Sequence, residues 1–168
     1  AKEALAPGQE ATKHVINRYG DAIKTKSANN SILINRDALG KIIFEEEKEK
    51  LWLEQLVHPI VKARLKEEIN IRKKESTLIL IIPLLFETNL TNLCSEIWVI
   101  NCSSKQQYAR IMKRDKLSKK DVQKRINAQI PLAQKLAMGD FVIDNSGDLQ
   151  KTIEQVNELL NKPTLSVS

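Results

Sequence analysis

Apolar residues recur at helical spacing along most of the chain and give way to three short unbroken runs. Residues 9–19 place Ala11, Val15, Ile16 and Tyr19 on one helical face, and Gly20 follows as a stop. The stretch 21–35 is polar apart from Ile32 to Ile34. Asn35 then caps a helix carrying Leu39, Ile42, Ile43 and Phe44. Beyond the charged residues Glu45 to Lys50 come Leu51, Trp52, Leu56 and Val57. A residue before proline is pushed away from helical backbone, so His58-Pro59 predicts a break, with a new helix from Pro59 to about Lys74.

The runs at 77–82, 97–102 and 141–143 have no polar face, as expected of strands covered on both sides in a parallel sheet. Ser103 caps a helix from about Ser104 to Arg114, and Ser118-Lys-Lys-Asp121 opens another to about Gln129. Pro131 starts a helix to about Met138, and the last helix spans Leu149 to Leu160. Strands alternating with helices predict an α/β fold with a mostly parallel sheet.

A chain of 168 residues can bury a core without metals or disulfide staples. Its longest apolar run, Leu78 to Phe86, is too short for a bilayer span. No leader pattern opens the sequence, and Cys94 and Cys102 form no C-x-x-C pair, so the expectation is a cytoplasmic protein with free thiols. With His14 and His58 as the only histidines, a zinc site is excluded. The net charge of +6 suits an anionic partner without choosing between nucleotide, nucleic acid and acidic surface. The few aromatic residues are scattered, against a base-stacking platform.

Parallel α/β sheets bind ligands at the carboxyl ends of their strands. Three such ends are visible: Pro83-Leu-Leu-Phe-Glu87, Asn101-Cys102 before the Ser103 cap, and Asp144-Asn-Ser-Gly147. The plain alternatives are a solvated loop carboxylate at Glu87 and an ordinary turn and cap at Asp144 to Gly147. Arg110 and Arg114, four apart, share a helix face with cationic neighbours, either a phosphate grip or a solvated face. The basic residues Lys116, Lys119, Lys120, Lys124 and Arg125 follow, on two short helices of the kind that cover a phosphate. His58 is either structural or set beside the free N–H groups of a helix beginning at Pro59. No Gly-x-x-x-x-Gly-Lys-Ser/Thr and no Gly-x-Gly-x-x-Gly occurs in the 168 residues.

In order, the motifs Ile34-Asn-Arg36, Leu56-Val-His58-Pro59-Ile60, Pro83-Leu-Leu-Phe-Glu87, Gln107-Tyr-Ala-Arg110, Met112-Lys-Arg114-Asp115, Arg125-Ile-Asn-Ala-Gln129 and Asp144-Asn-Ser-Gly147 resemble dephospho-coenzyme A kinase. The resemblance implies a three-layer, P-loop NTPase-like parallel sheet with a helical lid at about 117–140 and a helical substrate-side region at about 20–75. It implies one domain, 1–168, that is N-terminally truncated. The roughly 30 residues of first strand, P-loop and first helix, the size of a βαβ unit, fall outside the chain. The activity implied is transfer of the γ-phosphoryl of ATP to the 3′-hydroxyl of dephospho-coenzyme A, with Mg²⁺ held by the missing segment. The 168 residues alone are therefore expected to be inactive.

Carried over by motif, Arg110 and Arg114 clamp the ATP phosphates as catalytic residues. Arg125 and Gln129 lie in the lid near the nucleotide, and Asn145 lines the adenine pocket. His58, Leu84, Leu85, Phe86 and Glu87 border the acceptor, and Lys2 stands where the family has arginine. ATP and dephospho-coenzyme A are the implied partners, with no nucleic acid, no membrane and at most weak homo-oligomerisation. The competing readings are a non-catalytic nucleotide- or RNA-binding module and a structural domain whose basic excess serves solubility.

Overall fold

The computed structural model describes residues 3–26 and 32–161, grouped in two compact units, Ala1–Leu80 and Ile81–Ser168. Lys2 lies outside the described residues.

The first unit is built on helices. Helix α1 (Glu10–Tyr19) buries Ala11, Thr12 and Val15, and the Thr12 hydroxyl donates to the Ala6 carbonyl at 2.6 Å. Gly20 closes the helix at φ 59°, a left-handed value that glycine takes at little cost. A 3₁₀ turn (Gly20–Ile23) leads to β1 (Lys24–Lys26), which pairs antiparallel with β2 (Ile32–Ile34). Asn35 caps α2 (Arg36–Glu45) by accepting from the Ala38 N–H at 3.1 Å. Val15, Ile23, Ile34 and Leu39 form the core, flanked by Ile42, Trp52 and Leu56.

Helix α3 runs unbroken over Glu47–Ile71, with Pro59 inside it. This corrects the predicted break at His58. Proline removes one N–H, so the Gln55 carbonyl loses its helical donor, but Gln55 and Pro59 are both exposed and water can serve that carbonyl. The preference of a residue before proline is local, and burial of Val57 on the same helix outweighs it. The anion site expected at a helix start on Pro59 falls with the break, because mid-helix N–H groups are already bonded.

One polar knot in this unit has a clear pH signature. Arg18 grips Glu49 through both nitrogens at 2.6 and 2.7 Å and lies 4.5 Å over the Trp52 ring, while the Tyr19 hydroxyl donates to Glu49 at 2.6 Å. Hydrogen bonds from Arg18 and then Tyr19 hold the Glu49 carboxyl at about 2, against 4.5. Burial, helped by the Glu49 hydrogen bond, pushes the Tyr19 phenol from 10 up to about 12. Glu49 is depressed, so its contribution is complete above pH 4.5 and fades as pH falls towards 2; Tyr19 is raised, so its contribution is complete below pH 10 and fades towards 12. Thermal midpoints recorded across pH should show both slopes in the wild type, and Glu49→Gln should flatten the acid one.

In the second unit, β3 (Trp98–Asn101) pairs in parallel with β4 (Phe141–Asp144), Trp98 opposite Phe141 and Asn101 opposite Asp144. The crossover carries α4 (Ser104–Asp115), α5 (Lys119–Asn127) and α6 (Leu132–Met138), and α7 (Leu149–Leu160) follows β4. Val99 and Ile143 are buried, while their register partners Val142 and Ile100 are 46% and 52% exposed, so each face of this pair is covered on one strand and open on the other, short of the full cover expected.

The predicted strand at 77–82 is also corrected: it joins no ladder among the described residues. A β-branched run favours extended backbone, but a strand also needs a hydrogen-bonded neighbour. Ile79 and Ile81 are 65% and 89% exposed there. Among the described residues, no helix is long and apolar enough to cross a membrane.

Candidate functional site

The sequence signals converge at the carboxyl ends of β3 and β4. Ser103 caps α4 in a reciprocal box: its Oγ accepts from the Gln106 N–H at 3.2 Å, and Gln106 Oε1 accepts from the Ser103 N–H at 3.2 Å. Gln106 Nε2 also donates to the Ser146 carbonyl at 2.7 Å, tying the loop after β3 to the loop after β4. The Asn145 N–H extends the ladder to the Asn101 carbonyl at 2.7 Å. Asp144 Oδ1 accepts from the Ser146 N–H at 2.9 Å and from its hydroxyl, and these bonds hold the Asp144 carboxyl below its usual range. Gln155 of α7 places its amide on the backbone of Asp144, donating to the carbonyl at 2.9 Å and accepting from the N–H at 2.8 Å. The plain reading of Asp144 to Gly147 as a turn and cap is thus correct locally, with Asp148 capping α7. The turn is also pinned from the helices by Gln106, Gln155 and Thr152, whose hydroxyl donates to Asn145 Oδ1 at 3.2 Å.

Arg110 reaches this floor. Its Nη2 donates to the Asn145 carbonyl at 3.0 Å, and the residue is otherwise exposed. Two residues predicted to share a ligand are therefore in direct contact. Arg114 forks onto Asp115 at 2.7 and 3.0 Å, and Arg125 reaches the same carboxylate at 2.6 Å. Asp115 is held below its usual range by Arg114 first and Arg125 as well. It sets the end of α4 against α5, and its guanidinium partners remain 74% and 38% exposed.

Glu87 is not a solvated loop carboxylate. Its Oε1 accepts from Lys135 Nζ at 2.6 Å and from the Ile130 N–H at 3.0 Å. Lys135 Nζ also donates to Gln129 Oε1 at 3.3 Å. Burial pushes the Glu87 carboxyl up, and the bonds from Lys135 and the backbone outweigh it to leave the group below its usual range. Leu84, Leu85 and Phe86, just before it, are half-buried. His58 belongs to the first unit, half-buried in mid-helix on α3, with no hydrogen bond or ion pair among the described residues.

Sequence reasoning gave no role to Asp115, Gln106 or Lys135. The Ser103–Gln106 spacing signals the cap but not the reach to Ser146, and the other two are legible only once their partners are known. Among the described residues, no group of three or more His, Cys, Asp or Glu side chains is placed to hold a metal ion.

Comparison with known proteins gives this arrangement a family context. The CoaE dephospho-CoA kinase family model matches residues 1–151. A dephospho-CoA kinase of Prochlorococcus marinus is 49% identical over 160 residues, spanning 95% of this chain and 76% of that one. One from Synechococcus sp. (strain CC9605) is 44% identical over the same shares. Among solved structures, a protein from Thermus thermophilus shares the fold at TM-score 0.67 and 24% identity, over 89% of this chain and 74% of its own. The dephospho-CoA kinase of Campylobacter jejuni aligns at TM-score 0.58 and 27% identity, over 94% of this chain and 77% of its own.

Proposed function

The chain belongs to the dephospho-CoA kinase family, and we propose that the strand-end constellation of its second unit is the ATP side of that kinase site. The family reaction moves the γ-phosphoryl group of ATP to the 3′-hydroxyl of dephospho-CoA, on an α/β, P-loop NTPase-like fold. The observation that carries the assignment is the Arg110 guanidinium seated on the Asn145 carbonyl, where parallel strands end.

Phosphoryl transfer has little covalent chemistry for a protein to supply; positioning and charge stabilisation do most of it. Asn145, on a loop pinned by Gln106, Gln155 and Thr152, lines the adenine pocket. Arg110 uses one donor on that loop and keeps the rest of its fork for phosphate oxygens. Arg114 and Arg125, oriented by Asp115, present cationic edges from α4 and α5, and Gln129 stands at the end of the same lid. Leu84, Leu85 and Phe86 with Glu87, and separately His58 and Lys2, serve the dephospho-CoA side. The lid is the 117–140 segment, and the helical region at about 20–75 serves the acceptor. Mg²⁺ accompanies ATP in such transfers, usually held by one or two protein ligands together with phosphate oxygens, and among the described residues no group of three or more His, Cys, Asp or Glu side chains is placed to hold it without the nucleotide. The compartment that fits two free thiols is the cytoplasm.

The test is ADP release by the full-length protein with ATP, Mg²⁺ and dephospho-CoA. The expected result is stoichiometric 3′-phosphorylated product, and none from an acceptor whose 3′-hydroxyl is blocked. ADP release that ignores the acceptor would overturn the reading.

A further inference from the structure

We propose that Lys135 is a positioning residue for this kinase, acting through Glu87 to lock the root of the α5–α6 lid onto the loop that follows residues 77–82. The proposal rests on the reading of 117–140 as a lid. Three groups of the lid meet at the Glu87 carboxylate: Lys135 Nζ at 2.6 Å and the Ile130 N–H at 3.0 Å directly, and Gln129 through Lys135 at 3.3 Å. Ile130 immediately precedes Pro131, the start of α6, so the anchored point is the joint between the lid helices.

The platform beneath is self-bonded. The Thr88 N–H and hydroxyl both donate to the Leu84 carbonyl, at 3.0 and 2.7 Å, and the Leu90 N–H donates to the Leu85 carbonyl at 3.1 Å. Leu90 is buried, and Asn89 takes the left-handed turn at φ 51°. Glu87 therefore projects from a fixed loop, not a wandering one.

Both charged side chains are largely withdrawn from water, Lys135 13% exposed and Glu87 17%. The second oxygen of Glu87, Oε2, is buried with no hydrogen-bond partner. A carboxylate with one oxygen shut away from water and the other holding an ammonium and a backbone N–H is placed to anchor the lid root and not to act as a base. The Lys135 ammonium is already committed to Glu87, and separating such a pair strands a charge. The lid root thus has one favoured seat, and the arginines beyond it inherit that register.

The experiment is a double-mutant cycle in the full-length enzyme with Lys135→Met, Glu87→Gln and both together, beside Lys135→Arg. Steady-state constants for ATP are read with the rate of tryptic cleavage after Lys119, Lys120 and Lys124, with and without a non-hydrolysable ATP analogue. Each single change should lower kcat/KM for ATP by about tenfold, chiefly through KM, as expected for misplaced groups, and should speed lid cleavage. The double variant should be no worse than the poorer single one, and Lys135→Arg should stay within about threefold of wild type. If Lys135→Met melts below the assay temperature, Lys135→Gln takes its place in the cycle. Losses that add, or kinetic loss with lid cleavage unchanged, would show Lys135 acting on substrate directly and overturn the proposal. So would unchanged kinetics and cleavage in every variant. A wild type that does not phosphorylate dephospho-CoA would instead overturn the proposed function, and the cleavage arm would still report on the lock.

Discussion

Arg110→Ala in the full-length enzyme should lower kcat/KM for ATP by about 2–4 kcal/mol, the range for losing a charge-assisted contact made in the transition state. Two losses coincide in that variant. The fork facing the phosphates disappears, and the Asn145 carbonyl loses the donor that reaches it at 3.0 Å, so the adenine loop is released at one of its pins. Arg110→Lys separates them: it keeps a charge for phosphate but cannot serve a carbonyl and an anion with one planar fork. Its loss should fall between wild type and alanine, weighted towards kcat. Lys105→Ala, on the exposed first turn of the same helix, should change the rate by less than about 0.5 kcal/mol. Wild-type constants in Arg110→Ala would remove this residue from the site.

What could be read from the residues divides by the range of the force involved. Caps act within four residues, so Asn35, Ser103 and Ser118 announced α2, α4 and α5, and the structure shows each side chain accepting from the expected N–H. The run at 141–143 announced β4, whose ladder adds only Asp144. Pro59 misled because its penalty is local, whereas the continuity of α3 is decided along 25 residues. The run at 77–82 misled differently: its residue types report a conformation and a wish for burial, not the presence of a neighbour.

The site splits along the same line. Motif resemblance assigned Arg110 to the ATP phosphates and Asn145 to the adenine pocket, and the structure brings the two into contact across 35 positions. It could not show that Glu87 and the Ile130 N–H meet across 43 positions, or that Asp115 is shared by Arg114 and Arg125. Charge patterning names cations and anions, and only the fold pairs them. That pairing changes the chemistry, because a lysine committed to a half-buried carboxylate is no longer available to a phosphate.

The largest stability effect in the second unit should come from Ile143→Ala. Ile143 is 1% exposed at the centre of β4, opposite Ile100, and is among the most deeply buried side chains described. Truncating an isoleucine in such a place costs about 2–5 kcal/mol, transfer and cavity together, while Ile143→Val should cost about 0.5–1.5. In a chain of 168 residues the alanine change should lower the thermal midpoint by on the order of 10 °C. Urea unfolding should show a lower midpoint at unchanged slope. Function should follow by a short path, since Asp144 and Asn145 come next and their backbone is held by Gln155 and Asn101 at the same strand end. At temperatures where the variant is still folded, KM for ATP should therefore rise before kcat falls, because a loosened β4 moves the adenine loop before it disturbs the arginines on α4. If Ile143→Ala melts like wild type, β4 is not the core strand of this unit. If it loses kcat while KM for ATP stays fixed, Asn145 does not hold the nucleotide.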